Sequence, residues 1–309
     1  MVRIIGFFVG IGFVLVMLFS LGSGAISYFN APPEASVEHL YHKEPRELAL
    51  ASDGPFGRFD RQQVQRGLQV YTEVCSGCHS LKLVAFRDLR ELGYSEAEVK
   101  KYAADFKTEV PSINPQTGEA ATRKGTPADA FPSPYANETA GRAANNNALP
   151  PDLSLMTKAR EGGAAYVYSL LTGYQNQPAA LLKQFPASKT PNGLHYNPYF
   201  ANLNLAMPPP LTAEGQVSYS DGTKPTVDQM AKDVAAFLVW TAEPKLENRH
   251  RAGIAVVIFL LFGTVLGYMA YQNIWASAKR KVALKGPLEP ANQAKRSRAK
   301  AKAGMPPQG

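Results

Sequence analysis

The stretch Cys75-Ser76-Gly77-Cys78-His79 decides how the rest of this 309-residue chain is interpreted, because it contains the only two cysteines. The cysteines are three residues apart, and a histidine directly follows the second one. Two thiols at this spacing lie on one side of a helical turn, where each can add to one vinyl group of a haem. The adjacent imidazole can reach the iron as its proximal ligand. The motif therefore predicts a covalent c-type haem, with Cys75 and Cys78 attached to the porphyrin and His79 bound to the iron.

Other sites that use the same residue types fit this motif less well. A structural zinc site needs more cysteine or histidine ligands. A thioredoxin-like redox pair needs no histidine after its second cysteine. A disulfide across so short a loop would constrain the unfolded chain very little. Because haem attachment would use both thiols, the low cysteine count does not point to the cytosol.

A helix is predicted directly before the motif, beginning after Asp60 as its N-cap and ending near Val74. Gly67 lies inside this helix, at a cost of about 1 kcal/mol relative to alanine. Close approach of a second helix would explain the glycine, and the aromatic residues Phe237 and Trp240 on a later helix could pack there. A glycine and an aromatic residue at this spacing before the first haem cysteine resemble the N-terminal helix of class I cytochromes c.

The methionines are the main candidates for the second ligand of the iron. Met230 falls on the apolar stripe of a predicted helix, which favours core packing, and Met156 lies in a short helical stretch whose buried face is undefined. Met207 precedes three prolines, which fix φ and remove backbone donors, so this segment can hold a thioether rigidly. Met207 is the predicted ligand, with a plain hydrophobic contact as its alternative role and His195 as the rival ligand. His/Met ligation would raise the haem potential.

Two apolar runs predict membrane segments. Ile4–Leu21 carries no charge, follows Arg3 and precedes small residues, which fits a cleaved signal peptide or a retained anchor equally well. One arginine is few for a mitochondrial presequence, which favours a bacterial protein. Residues 253–275 form a second run of 23 uncharged residues, about 34 Å of helix at ~1.5 Å per residue.

The basic character of the chain is confined to its C-terminal tail. Nine basic residues and one acidic residue follow Trp275, which accounts for the whole net charge of +8. The positive-inside rule places this tail in the cytoplasm and the preceding domain outside. Nucleic acid is therefore not a predicted partner.

Four further stretches carry a family resemblance: RAANNNALPPDLS at 142–154, AREGGAAYVYSLLTGY at 159–174, NPYF at 197–200 and AMPPPL at 206–211. In this order, the chain resembles the cytochrome c1 family, the c-type haem subunits of the cytochrome bc1 complex, from about Gly57 to Trp275. The resemblance implies one covalent haem and a set of haem-lining positions, among which Arg160 would pair with a haem propionate, with Arg142 as a second candidate. The other haem-lining positions implied are Asn145, Ala148, Pro150, Pro151 and Tyr166.

The predicted fold is all-α, a class I cytochrome c-like haem domain with large loop insertions plus a C-terminal transmembrane helix. Residues 81–110 have a helical pattern, residues 111–135 are predicted to form a loop, and Asp152 and Thr226 are predicted to cap the helices that follow them. The predicted parts are a signal peptide or N-terminal membrane anchor at 1–30, an exported haem domain at 31–250, a transmembrane helix at 251–275 and a basic cytoplasmic tail at 276–309. The haem domain would be periplasmic on a bacterial inner membrane.

The resemblance implies an electron-transfer subunit of ubiquinol–cytochrome c oxidoreductase. It would accept an electron from the Rieske iron–sulfur protein and pass it to a cytochrome c, beside a cytochrome b subunit in a dimeric complex. The chain alone shows no nucleophile–base pair and would not be a complete enzyme. Two alternatives stay open at this point: a membrane-tethered cytochrome c that shuttles electrons to a terminal oxidase, and a catalytic or gas-sensing haem protein with an open iron.

Overall fold

The computed structural model of the chain describes residues 2–30, 35–284 and 289–302. The fold is predominantly helical, as predicted, and the chain divides into two compact units. One contains the residues before Pro55 together with Arg58–Pro244, and the other contains Pro55–Gly57 and the residues from Lys245 onward. The α-helices are α1 (Val2–Asn30), α2 (Val37–Tyr41), α3 (Arg61–Glu73), α4 (Glu96–Asp105), α5 (Glu138–Ala144), α6 (Met156–Ala159), α7 (Gly163–Thr172), α8 (Ala179–Gln184), α9 (Val227–Ala242), α10 (Leu246–Leu284) and α11 (Pro290–Lys302).

The two principal helices of the first unit, α3 and α9, begin at the predicted caps. Asp60 has extended backbone geometry, and its carboxylate accepts hydrogen bonds from the backbone N–H groups of Gln62 and Gln63. Thr226 does the same for the N–H of Gln229 at the start of α9. Both side chains satisfy donors that the first turn of a helix leaves unpaired.

Helices α3 and α9 cross where Gly67 was predicted to permit a close approach. A Cβ added to Gly67 would lie 2.1 Å from the backbone oxygen of Asp233 and 2.6 Å from Cβ of Phe237. No side chain fits this space, so the cost of glycine in a helix is offset by the packing that it permits. Tyr71, one turn further along α3, is fully buried against Phe237, and Trp240 stacks behind it.

The core continues from this crossing into a cluster of aromatic rings. Tyr71 meets Phe131 edge-on at 5.8 Å between ring centroids, and Phe131 packs on Phe86 at 4.4 Å. All three side chains are fully buried. Met230 is also fully buried on α9, as predicted for a core methionine.

Short strands are the part of the fold that the sequence pattern did not predict. Residues 81–110, where the pattern favoured helix, begin with strand β1 (Leu81–Ala85) and continue through a 3₁₀ segment into α4. The predicted loop 111–135 contains most of β2 (Val110–Ile113) and all of β3 (Ala120–Arg123) and β4 (Ala130–Phe131). Because Leu81 must be buried against Phe131, the chain leaves the haem motif as a strand. The antiparallel pairs are β1 (Leu81–Ala85) with β4 (Ala130–Phe131), β2 (Val110–Ile113) with β3 (Ala120–Arg123), and β5 (His195–Tyr196) with β6 (Asn204–Leu205).

Helices α1 and α10 are both long and apolar enough to cross a membrane. The most apolar 18-residue window within Leu246–Lys279 of α10 has a mean hydropathy of 2.3, and the corresponding window of α1 has a mean hydropathy of 2.7. Their most apolar windows are wholly exposed. The predicted span at 251–275 lies within α10. Part of the predicted tail, residues 285–288 and 303–309, lies outside the described residues.

Candidate haem-binding site

The Cys75–His79 motif forms a tight turn directly after α3. A 3₁₀ turn begins at Cys75, whose carbonyl accepts hydrogen bonds from the N–H groups of Cys78 (3.0 Å) and His79 (2.9 Å). The Ser76 hydroxyl donates to the Thr72 carbonyl at 2.7 Å, which ties the turn to the helix. Both cysteines are free thiols, and Cys78 is exposed. Burial, with a smaller contribution from Cys78, raises the pKa of the Cys75 thiol to about 12.

The imidazole of His79 is oriented by a backbone carbonyl. Its Nδ1 lies 2.7 Å from the oxygen of Pro151. Because a carbonyl only accepts hydrogen bonds, Nδ1 must carry the proton, and the Nε2 lone pair is left available to a metal. Burial lowers the pKa of His79, which favours the neutral ring that a metal requires. The Tyr71 hydroxyl donates to the backbone oxygen of His79 at 2.9 Å and fixes the other side of the turn.

Asp152 holds the His79 turn and the Pro151 segment together. It was predicted to cap the helix that follows, and this prediction is wrong, because α6 begins at Met156 with no side-chain cap. The carboxylate instead accepts hydrogen bonds from the Ser80 hydroxyl and the Lys82 N–H at 2.8 and 2.7 Å, and from the Ser154 N–H at 2.9 Å. Burial alone would raise the pKa of Asp152, but these hydrogen bonds together lower it.

The three consecutive asparagines form the turn that leads to Pro150 and Pro151. Asn146 and Asn147 have φ of 51° and 64°, in the left-handed region that asparagine tolerates better than most residues. Asn145 donates from its amide to the Tyr135 hydroxyl and to the carbonyl of Gly141, each at 2.7 Å. Burial raises the pKa of Tyr135; the Asn145 hydrogen bond opposes this shift, and the Cys78 thiol adds to it. Tyr135 therefore links the asparagine turn to the haem motif.

Met207 lies in a second group of residues, arranged around Tyr174. The Tyr174 hydroxyl donates to the backbone oxygen of Met207 at 3.0 Å. His195 pairs with Leu205 in the β5–β6 ribbon, and its ring meets Tyr174 edge-on at 6.5 Å between ring centroids. Burial raises the pKa of Tyr174, and the nearby Tyr166 hydroxyl adds to the shift. The predicted ligand and its rival therefore lie in the same part of the fold.

The donor set fits a haem better than a bare metal ion. Within residues 2–30, 35–284 and 289–302, no three or more His, Cys, Asp or Glu side chains come together in a way that could hold a metal. The haem motif offers one oriented imidazole and two unpaired thiols. A porphyrin would supply the remaining ligands that a zinc site would have to draw from side chains.

Comparison with known proteins gives the family. Residues 50–278 match the family described as the Cytochrome C1 family. The chain belongs to the cytochrome c1 family. Cytochrome c1 of Rhodospirillum rubrum is 45% identical over 235 residues, covering 73% of this chain and 85% of that protein. The mitochondrial protein named "Cytochrome c1, heme protein" of Saccharomyces cerevisiae is 43% identical over 255 residues, covering 82% and 79%.

A longer cytochrome c1 relative comes from Bradyrhizobium diazoefficiens and is named "Cytochrome b/c1". It is 46% identical over 240 residues, which are 73% of this chain. The match covers only 34% of that protein, so this chain spans about a third of its length. The family resemblance that the sequence motifs carried is thereby confirmed.

Two of the predicted haem-lining residues, Asn145 and Pro151, have contacts that lead to the Cys75–His79 turn. The backbone oxygen of Pro151 contacts His79 directly, and Asn145 is connected to Cys78 through Tyr135. Tyr166 is half-buried beside Tyr174, and the charge of Arg160 lowers the Tyr166 pKa slightly against a larger rise from burial. The side chain of Arg142 is exposed and donates to the Asn147 carbonyl at 3.3 Å. Ala148 and Pro150 are half-buried in the asparagine turn.

Sequence reasoning missed Tyr135, Tyr174 and the bridging role of Asp152. Tyr174 ends the stretch AREGGAAYVYSLLTGY, and Tyr135 follows a proline in a region predicted as loop. Each acts through a partner at least ten positions away, and single-residue patterns hold no signal for such pairings. Asp152 carried a signal, since an aspartate after two prolines suits a turn, but its partners Ser80 and Lys82, about seventy positions earlier, could not be predicted.

Replacing Asp152 with asparagine is expected to lower the free energy of unfolding at pH 7 by about 1–2 kcal/mol, because its hydrogen bonds lose their charge. The lowered native pKa means that this stabilisation is present above the unfolded-state pKa of about 4 and is lost as the pH falls through the native value. Denaturant titrations of both proteins between pH 7 and pH 3 measure the difference, with Asp105→Asn as an exposed control. If the difference in the free energy of unfolding between the native protein and Asp152→Asn stays the same as the pH falls, the Asp152 carboxylate does not have the stabilising role assigned to it.

Proposed function

We propose that this chain is the haem-bearing electron-transfer subunit of a cytochrome bc1 complex, a ubiquinol–cytochrome c oxidoreductase. One electron at a time would arrive from the Rieske iron–sulfur protein and leave to a cytochrome c. The observation that carries the proposal is the His79 turn, where an imidazole with a free Nε2 stands beside two unpaired thiols. When bound, the haem supplies the one-electron redox centre.

The residues proposed to hold the haem are those that the motif and the resemblance indicate. Cys75 and Cys78 would attach it through two thioether bonds, and His79 and Met207 would bind its iron. The relatives named as haem proteins support a haem here. The Pro151 carbonyl would keep the His79 tautomer fixed, since a ligating histidine is oriented by the partner of its other nitrogen.

The surrounding pocket would be completed by both groups of side chains described above. Arg160 is the proposed partner of a haem propionate, and Arg142 is the second candidate. The remaining residues proposed to line the haem are Asn145, Ala148, Pro150, Pro151 and Tyr166. The α3–α9 crossing at Gly67 supports a class I cytochrome c-like fold for residues 31–250, with the strands and loops between β1 and α9 as insertions.

Helix α10 is the proposed membrane anchor. Its residues 251–275 would span the bilayer, and the exposed aromatic rings Tyr268, Tyr271 and Trp275 would lie at one interface. The basic tail at 276–309 favours a cytoplasmic C-terminus and a periplasmic haem domain on a bacterial inner membrane. Residues 1–30 would be either a signal peptide or a second anchor, and N-terminal sequencing of the purified protein distinguishes the two.

A cytochrome b subunit is the proposed immediate neighbour. The Bradyrhizobium relative has both b and c1 in its name, and this chain matches about a third of it, which supports an association between the two. The complete complex would be dimeric.

Purification in mild detergent tests the proposed function. We expect the chain to co-purify with a cytochrome b and an iron–sulfur protein, and the preparation to reduce added cytochrome c with a ubiquinol analogue. A monomeric haem protein that passes electrons only to a terminal oxidase would overturn the proposal in favour of the membrane-tethered shuttle. The long connections between the haem motif and α9 favour the complex, because a simple shuttle needs few of them.

A further inference from the structure

The residues that follow Met207 form an irregular connection whose position must be set by something other than secondary structure. We name residues 206–226, between β6 and α9, the Met207 segment. It contains no helix or strand. Loops of this length without secondary structure are uncommon in compact domains and are usually functional.

The Met207 segment is fastened to α3 at two points. Arg66 Nη1 lies 2.7 Å from Asp221 Oδ2, and the Gln69 side-chain amide donates to the backbone oxygen of Ser218 at 2.8 Å. Arg66 and Gln69 are three positions apart and so lie on one face of the helix. Val217, which directly precedes Ser218, is fully buried.

Arg66 is itself held rigidly by α9. Its Nε and Nη2 donate to the two carboxylate oxygens of Asp233 at 2.8 and 3.2 Å, and the Asp233 side chain is completely buried. These two carboxylates, Asp233 before Asp221, raise the pKa of Arg66 despite an opposing effect of burial. A guanidinium fixed in this way can anchor Asp221 with little loss of its own conformational freedom.

Gln216 connects the attached part of the segment to the prolines that follow Met207. The side-chain amide of Gln216 donates to the Pro210 carbonyl at 2.7 Å, and its oxygen accepts from the Thr212 N–H at 3.0 Å. Leu211, between these two contacts, is buried. Because Pro208 to Pro210 have restricted backbone freedom, a displacement at Ser218 or Asp221 would be carried to Met207.

We propose that Arg66 and Gln69 are positioning residues that keep the Met207 thioether on the haem iron. This inference rests on the proposed ligand role of Met207. Helix α3 would then position both proposed iron ligands, since it ends at the Cys75–His79 motif and also fixes the segment that carries Met207. Loosening the attachment would raise the fraction of protein in which the thioether has left the iron.

Binding of imidazole to the ferric, haem-loaded, full-length protein measures that fraction. An external ligand needs the open state, so its apparent dissociation constant varies inversely with the open population. We expect Asp221→Asn combined with Gln69→Ala to lower this constant about threefold to tenfold, the range that follows from losing one or two hydrogen bonds. The thioether-to-iron charge-transfer band should weaken in parallel. Arg66 is left intact in this test, because its removal would strand the buried Asp233.

Two control variants test whether the effect is specific to this attachment. Asp105→Asn removes one negative charge from an exposed ion pair with Lys101 and should leave imidazole binding unchanged. Asp221→Glu restores the carboxylate and should return the constant toward its native value. Should the double variant attach no haem, Asp221→Asn alone carries the test.

Met207→Leu separates failure of this inference from failure of the proposed ligand. If Met207→Leu increases imidazole affinity and the attachment variants do not, Met207 is the ligand and the positioning role is overturned. If Met207→Leu has no effect on imidazole binding or on the charge-transfer band, the ligand assignment is wrong and the inference falls with it. If the attachment variants behave like Asp105→Asn, the contacts are structural only.

Discussion

Replacing Gly67 with alanine is expected to lower the free energy of unfolding by about 3 kcal/mol, at the upper end of the range for overpacked cores. The added methyl would lie 2.1 Å from the Asp233 backbone oxygen and 2.6 Å from Cβ of Phe237. Neither atom is the end of a flexible side chain, so the two helices would have to move apart. An ordinary domain is stable by about 5–15 kcal/mol, so one methyl group would remove a large fraction of the stability.

The expected loss of stability is opposite in sign to the effect that helix propensity predicts for the same substitution. Helix propensity alone predicts that alanine at an interior glycine stabilises the protein by about 1 kcal/mol. Denaturant unfolding of the detergent-solubilised protein measures the difference, with Gln62→Ala on the exposed face of α3 as the control, expected within about 0.5 kcal/mol of the native protein. An unchanged or increased stability for the Gly67 variant would mean that α3 and α9 do not cross at this distance.

Replacing Met207 with leucine is expected to lower the midpoint potential of the haem by on the order of 0.1 V or more, within the roughly 0.8 V range over which axial ligands set it. A thioether ligand raises the potential relative to nitrogen or water ligation, and leucine fills similar space without a donor atom. Carbon monoxide should also bind the reduced variant readily. Redox titration and carbon monoxide difference spectra measure both effects.

His195 provides the matched comparison for Met207. It lies beside Tyr174, whose hydroxyl donates to the Met207 carbonyl, and so occupies the same neighbourhood. His195→Phe is expected to leave the potential and the closed iron unchanged. If His195→Phe lowers the midpoint potential strongly and Met207→Leu leaves it unchanged, His195 is the ligand and Met207 is not.

Features of the fold could be predicted from the sequence where their physical cause is local. Asp60 and Thr226 were predicted as helix caps, and both accept N–H groups of the first turn. Gly67 was predicted as a point of close helix approach from its cost inside a helix. Met230 was predicted as a core residue from apolar periodicity. In each case the physical cause acts within one or two helical turns.

Features that depend on distant partners were not predictable. Strand β1 exists because Leu81 pairs with Phe131, fifty residues later, and its sequence alone has no clear alternation. Asp152 was assigned to the following helix because its partners Ser80 and Lys82 lie about seventy positions away. The haem motif was recognised because its chemistry is local, whereas the Pro151 carbonyl that orients His79 belongs to another part of the chain.

Covalent attachment of the haem is tested most directly by whether haem stays with the polypeptide when the protein is denatured and extracted with acidified acetone. If Cys75 and Cys78 attach the haem, the colour remains with the chain, the peptide that contains residues 75–79 carries the mass of a haem, and the alkaline pyridine spectrum has the bands of a haem with both vinyl groups saturated. Haem that passes into the solvent, leaving a colourless chain with two free thiols, would contradict attachment at Cys75 and Cys78.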